Sequence, residues 1–116
     1  MSTAPAPVSD MLVTVKSREV QRALLAEMRD DREAARRHFL ASAHLELVLA
    51  ADYEQAGEAP LSFRSQLSAA SCFWRAGEYE QAQRRFEEIR AIHPSQAGAI
   101  EQVQLELSRD YPLPAS

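Results

Sequence analysis

Five residues between Phe73 and Pro94 constrain this chain more than any others: Gly77, Tyr79, Ala82, Phe86 and Pro94. Glycine takes the left-handed conformation that closes a helix, so Gly77 ends one apolar-periodic segment. Proline cannot continue a helical hydrogen-bond ladder, so Pro94 ends the next. Between them Ala82 and Phe86 stand four apart and share one helical face. The unit is a helix-turn-helix repeat, a building block of binding scaffolds.

These residues resemble the tetratricopeptide repeat family, whose pattern runs Trp-x2-Leu-Gly-x2-Tyr, then Ala-x3-Phe, then Pro over about 34 residues. Ala82-x3-Phe86 followed by Pro94 matches the second half directly. Counting back places Gln66, Ala69, Ala70 and Phe73 in the Trp, Leu, Gly and Tyr slots. Phe73 keeps an aromatic and Ala70 a small residue, whereas Gln66 and Ala69 replace large apolar ones. One repeat length on, Ile100, Val103, Gln104 and Leu107 fall in the same slots, so Ala97 to Arg109 reads as the first helix of a further repeat. Upstream, Ala35-x3-Phe39 repeats the pair, but Ala35 and Ala82 lie about 13 residues further apart than one period allows. Arg18 to Ala56 therefore reads as a degenerate hairpin with an over-long second helix, closed by a Gly57-Glu58-Ala59-Pro60 turn. The resemblance is specific over roughly Phe63 to Arg109. It implies an all-α, tetratricopeptide-like array of about five antiparallel helices, a fragment of a right-handed α-α superhelix.

Periodicity gives the same division. Ser17 or a near neighbour is the predicted cap of a helix carrying Val20, Leu24, Leu25 and Met28, which Asp30-Asp31 breaks. A second helix starts with Glu33 and carries Ala34, Ala35, Phe39, Leu40, Ala43, Leu47 and Ala50 as a broad apolar stripe. Ser62 is the predicted cap of the segment through Ala76, Tyr79 to Ile92 turns Ala82, Phe86 and Ile89 inward, and Ser95 is the predicted cap of the last helix. No stretch alternates as a strand does. Residues 1–16 are expected to be a disordered tail, 17–110 the helical domain, and 111–116 a C-terminal tail that begins at Tyr111-Pro112-Leu113-Pro114.

Composition narrows the function. At 116 residues with 46% hydrophobic and 3 Gly there is material for one core. A pI near 5.4 and a net charge of −4 weigh against nucleic acid and anionic membrane, which reward clustered positive charge. Leu45 to Ala51, the most apolar run, is interrupted by Glu46, closed by Asp52 and far too short to span a membrane. Met1 to Asp10 has no basic start followed by an apolar run, so a cytoplasmic location is expected. His38 and His44 are six apart on one helix, which points them apart, and no metal or other cofactor is expected. Cys72, the only cysteine, reads as a small buried hydrophobe, and with no base indicated for it no catalysis is expected.

The expected function is protein or peptide binding. In the family the chain resembles, the first helix of each repeat lines a concave groove. The resemblance implies Arg64, Leu67, Ser68, Ser71, Trp74 and Arg75 from the middle repeat, with Glu101, Gln102 and Leu105 from the last. The Lys/Asn/Arg set with which one family subset grips C-terminal carboxylates is absent, since Ser68, Gly98 and Gln102 occupy its positions and leave Arg64 alone. Trp74 reads either as core or as an aromatic anchor on the groove. Arg36-Arg37 and Arg84-Arg85 each precede the Phe of an Ala-x3-Phe pair and read as solvated faces paired with glutamates. The alternative reading is a helical nucleic-acid-associated regulator using Arg36, Arg37, Arg84 and Arg85. Finally, an unpaired last helix would show Ile100, Val103 and Leu107 to water, so a homodimer or an obligate partner is expected there.

Overall fold

The computed structural model describes residues 7–115. Five helices follow one another: α1 (Pro7–Met28), α2 (Arg32–Gln55), α3 (Ala59–Arg75), α4 (Tyr79–Ile92) and α5 (Ala97–Asp110), with a 3-10 turn at Pro94–Gln96 before the last. They pack helix on helix, an all-α architecture consistent with a helical repeat.

Three of the four connections share one construction. At the end of α3 the Gly77 N–H donates to the Trp74 carbonyl (2.9 Å) and the Glu78 N–H to the Phe73 carbonyl (2.9 Å). At the end of α2 the Gly57 N–H donates to Glu54 (3.1 Å) and Glu58 to Tyr53 (2.8 Å). These are Schellman closures, and they place Gly57 at φ 75° and Gly77 at φ 86°, where a side chain is strained. α1 closes in the same way with Asp30 at φ 58°, one of the few non-glycine types that visit this region. In each turn the next residue, Asp31, Glu58 or Glu78, is also the N-cap of the following helix, and of these Asp31 caps through its side chain, accepting from the Ala34 N–H at 3.1 Å. Connections this short force antiparallel neighbours.

Helix starts differ from the sequence reading where a local signal was misplaced. α1 begins at Pro7, so Ser17 lies inside it and residues 7–16 are helix, not tail; residues 1–6 lie outside the described chain. Pro7 at the first position needs no donor, which suits a helix start. α3 begins with Ala59 and Pro60, and Ser62 is buried within it, its hydroxyl donating to the Ala50 carbonyl at 2.9 Å. Ser95 is drawn into the 3-10 turn, so Gln96 stands at the N-cap of α5 without a side-chain bond.

α3 is the centre of the molecule, packed against α2, α4 and α5, whereas the backbone of α1 approaches only that of α2 among the described residues. The result is a slab with principal extents of 54 × 31 × 17 Å. Its radius of gyration of 14.7 Å exceeds the roughly 13 Å of a compact domain this size. Phe39, Phe73 and Phe86 are wholly buried and are surrounded by small residues, with Ala43, Ala69, Ala70 and Ala82 also at zero exposure. Small side chains let backbones approach and leave room for the rings.

One expectation about an apolar face is corrected. α5 turns Ile100 and Leu107 into the core and Val103 against it, so the face assigned to a homodimer is already covered by α3 and α4. α5 is further tied to α4 by Arg90, which donates to Gln104 at 2.6 Å. On α1 the inward residues are Ala23 and Ala26, while Leu24, Leu25 and Met28 face solvent. Two side-chain contacts hold α1 on α2: the ion pair of Lys16 with the buried Glu46 at 3.6 Å, and a hydrogen-bonding contact between His38 Nδ1 and the Glu19 carboxylate. A carboxylate as buried as Glu46 needs such a partner.

Ala82 has no exposed surface, so Ala82→Leu has to overpack the contact between α3 and α4. The expected cost is about 1–3 kcal/mol, seen as a lower midpoint in thermal melts followed by helical circular dichroism; an unchanged midpoint contradicts this packing.

Candidate functional site

The α1–α2 and α3–α4 turns lie at one end of the slab, where α5 also ends, and a hollow of about 450 Å3 opens between them. Its lining comes from all five helices: Glu27 of α1, Arg32, Glu33 and Arg36 of α2, Arg75 of α3, Tyr79 of α4, and Asp110 with Tyr111 and Pro112 at the end of α5.

Tyr111 organises this end. Its carbonyl accepts the indole N–H of Trp74 at 2.8 Å, and its hydroxyl donates to Glu27 at 3.1 Å. Its ring meets Phe39 edge to face at 6.3 Å and lies beneath the Arg75 guanidinium, 5.5 Å from the ring centre. The residue read as the start of a tail therefore ties α5 to α1, α2 and α3. Burial, and then the neighbouring Glu27 charge, push the Tyr111 phenol up to about 12 against the opposing pull of Arg75.

Trp74 is core. It is 5% exposed, satisfied by Tyr111, and packed edge to face on Tyr79 with ring centres 4.8 Å apart. This removes it from the groove, because a buried indole N–H needs an acceptor and the carbonyl after α5 supplies one. Arg75 does reach the surface, held over Phe39 (5.8 Å) as well as Tyr111, with its Nε–H buried and without an acceptor.

The other groove residues fall in two groups. Arg64, Ser68, Ser71 and Arg75 recur at helical spacing along the open stripe of α3, with Arg64 exposed and the serines half-buried. Leu67 packs against the core, and the Ser71 hydroxyl is used on the Leu67 carbonyl at 2.9 Å. On α5, Leu105 and Glu101 are exposed and Gln102 donates to Glu106 at 3.1 Å. Among the basic doublets Arg36, Arg37 and Arg84 are exposed and Arg85 is half-buried, and Arg36 is paired with Glu33 at 3.9 Å and with Glu78 at 3.4 Å.

Burial pushes the Cys72 thiol up, and its nearest partner is the Ser42 hydroxyl at 3.6 Å. His44 lies edge-on to Phe73 and His93 to Phe63, so these rings serve packing. Among the described residues no three His, Cys, Asp or Glu side chains gather as a metal-ligand set.

Sequence reasoning missed Glu27, Arg32, Asp110 and Tyr111 as parts of one site. The available signal was Trp74, whose N–H required an acceptor somewhere. Comparison of the chain with protein-family models, with curated proteins and with solved structures finds no match.

Two outcomes follow. Trp74→Ala removes a buried ring and orphans the Tyr111 carbonyl, and is expected to cost about 3–5 kcal/mol, read as a fall in the denaturation midpoint; a near-wild-type midpoint contradicts the packing. Because the folded Tyr111 pKa is about 12, above its ordinary value of 10.0, its contribution is fully present below about pH 10 and is lost as pH rises through about 12. Melting midpoints across that window should fall more steeply for the wild type than for Tyr111→Phe.

Proposed function

We propose that the chain is a cytoplasmic, non-catalytic protein-binding module of the tetratricopeptide type, an adaptor that offers helical surfaces to another protein. The observation that carries this reading is the outer side of α1, where Met11, Val13, Val15, Leu24, Leu25 and Met28 are large apolar residues left in solvent, Met28 at 83% exposure. Crowded on one edge helix, they form the kind of surface that marks an interaction site. Val13, Leu24 and Met28, with the half-buried Val20, recur at seven- and four-residue intervals and so share a line along the helix, the pattern of a helix that docks through apolar anchors.

The repeat type is supported by the burial of Ala82 and Phe86, the left-handed Gly77, the turn that Pro94 opens, and the placement of α3 against both α4 and α5. A second surface on this reading is the α3 stripe of Arg64, Ser68 and Ser71 with Leu105 and Gln102 on α5. No helix among the described residues is long and apolar enough to cross a membrane, which agrees with a partner-facing α1.

The test places a photo-activatable residue at Leu25 or at Met28 and, for comparison, at Arg84, and irradiates cells producing each variant. Discrete protein adducts from the α1 positions are expected. Adducts confined to Arg84 and sensitive to nuclease would support the nucleic-acid reading instead, and no protein adduct from α1 would contradict the proposal. The double variant Leu24→Ser with Met28→Ser should stay within roughly 0.5 kcal/mol of wild-type stability, since neither side chain is in the core.

A further inference from the structure

The charges of the hollow at the turn end decide what can enter it, independently of how α1 is used. Of the three arginines in its lining, Arg36 is held by Glu33 and Glu78, whereas neither Arg32 nor Arg75 has a carboxylate within ion-pair distance among the described residues. Arg75 is also fixed in place, its guanidinium over the Phe39 and Tyr111 rings and its Nε–H buried without an acceptor. A cation held in this way is pre-organised for an incoming oxygen pair, because the entropy of ordering the side chain is already spent.

The acidic residues of the lining limit the ligand's charge. Glu27 accepts from Tyr111, Glu33 is paired with Arg36, and Asp110 is paired with Arg109, so each of the three carboxylates already has a partner. A dianion such as phosphate meets their combined repulsion, while a monoanion can be matched by Arg75 and Arg32. Between the charges the wall is apolar, with Ala35, Ala76, Pro112 and the Tyr79 ring. The volume of about 450 Å3 lies inside the roughly 300–1,000 Å3 of small-ligand sites.

We propose that this hollow is a carboxylate-binding site, in which Arg75 and Arg32 hold a monoanionic carboxylate carried next to an apolar group. A free aliphatic acid and an acidic side chain beside an apolar one on a partner both present that chemistry.

The test is a titration of the isotope-labelled full chain, following the arginine Nε–H resonances by NMR. Four probes are used: isocaproate, the dipeptide N-acetyl-leucyl-glutamate amide, isocaproamide as the neutral isostere, and inorganic phosphate. Saturable shifts at Arg75 and Arg32 with either carboxylate probe are expected, with none for the amide and with phosphate at least roughly tenfold weaker. Saturation by isocaproate identifies a free acid as sufficient, and saturation by the dipeptide alone identifies a side chain on a partner; either supports the site. Arg75→Gln should abolish the effect. Because Arg75 also packs on two rings, the exposed Arg32→Gln serves as the second variant and should weaken binding roughly tenfold with an unchanged melting midpoint. The proposal is overturned by no saturable shift at either arginine up to about 10 mM, by equal shifts with the amide or phosphate, or by shifts confined to Arg64.

Discussion

The hydrogen bond from the Trp74 indole to the Tyr111 carbonyl is the contact on which the rest of this structure depends. An indole nitrogen taken out of water must find an acceptor, and the Trp74 indole finds it in the Tyr111 carbonyl. A chain that has just left a helix has carbonyls to spare, and Tyr111 stands one residue past α5. Satisfying Trp74 therefore draws the end of α5 onto α3. It carries the Tyr111 ring to Phe39 and Arg75 and its hydroxyl to Glu27, which makes the hollow as a by-product of closing the core.

The turns set the geometry into which that closure fits. Asp30, Gly57 and Gly77 each reverse the chain by one left-handed residue, and the residue that completes each closure also begins the next helix. With no slack in these connections, alanines at the helix contacts determine how near the backbones come. This explains why α1 spends Ala23 and Ala26 on α2 and leaves its larger apolar residues outside. An edge helix that packs by alanine on one side and exposes leucine and methionine on the other has two usable faces, and among the described residues only one of them is occupied.

Legibility followed locality. Gly57, Gly77, Ala82 and Phe86 could be read because a left-handed turn or a shared helical face is decided within four or five residues of sequence. The inward face of α1 could not, since alanine and leucine are both apolar and the choice between them is made by α2. Helix starts failed at Ser17, Ser62 and Ser95 because a hydroxyl before an apolar run is equally able to bond within a helix or across to a neighbour, as Ser62 does with Ala50. The hollow was the least legible part. Arg75 drew notice as a charged end to α3, but its setting needs Phe39 and Tyr111, each over thirty residues away, and nothing local announces either.

The central claim, that Trp74 and Tyr111 close the core, is tested most directly by hydrogen exchange at the Trp74 indole, which is the only indole in the chain. If the bond holds as described, that N–H exchanges as slowly as the backbone amides around Phe73 and Phe86, through opening of the array as a whole. Exchange on the timescale of a free indole, with those amides still protected, would mean that the segment after α5 does not close over α3 and that the account of this end of the molecule is wrong.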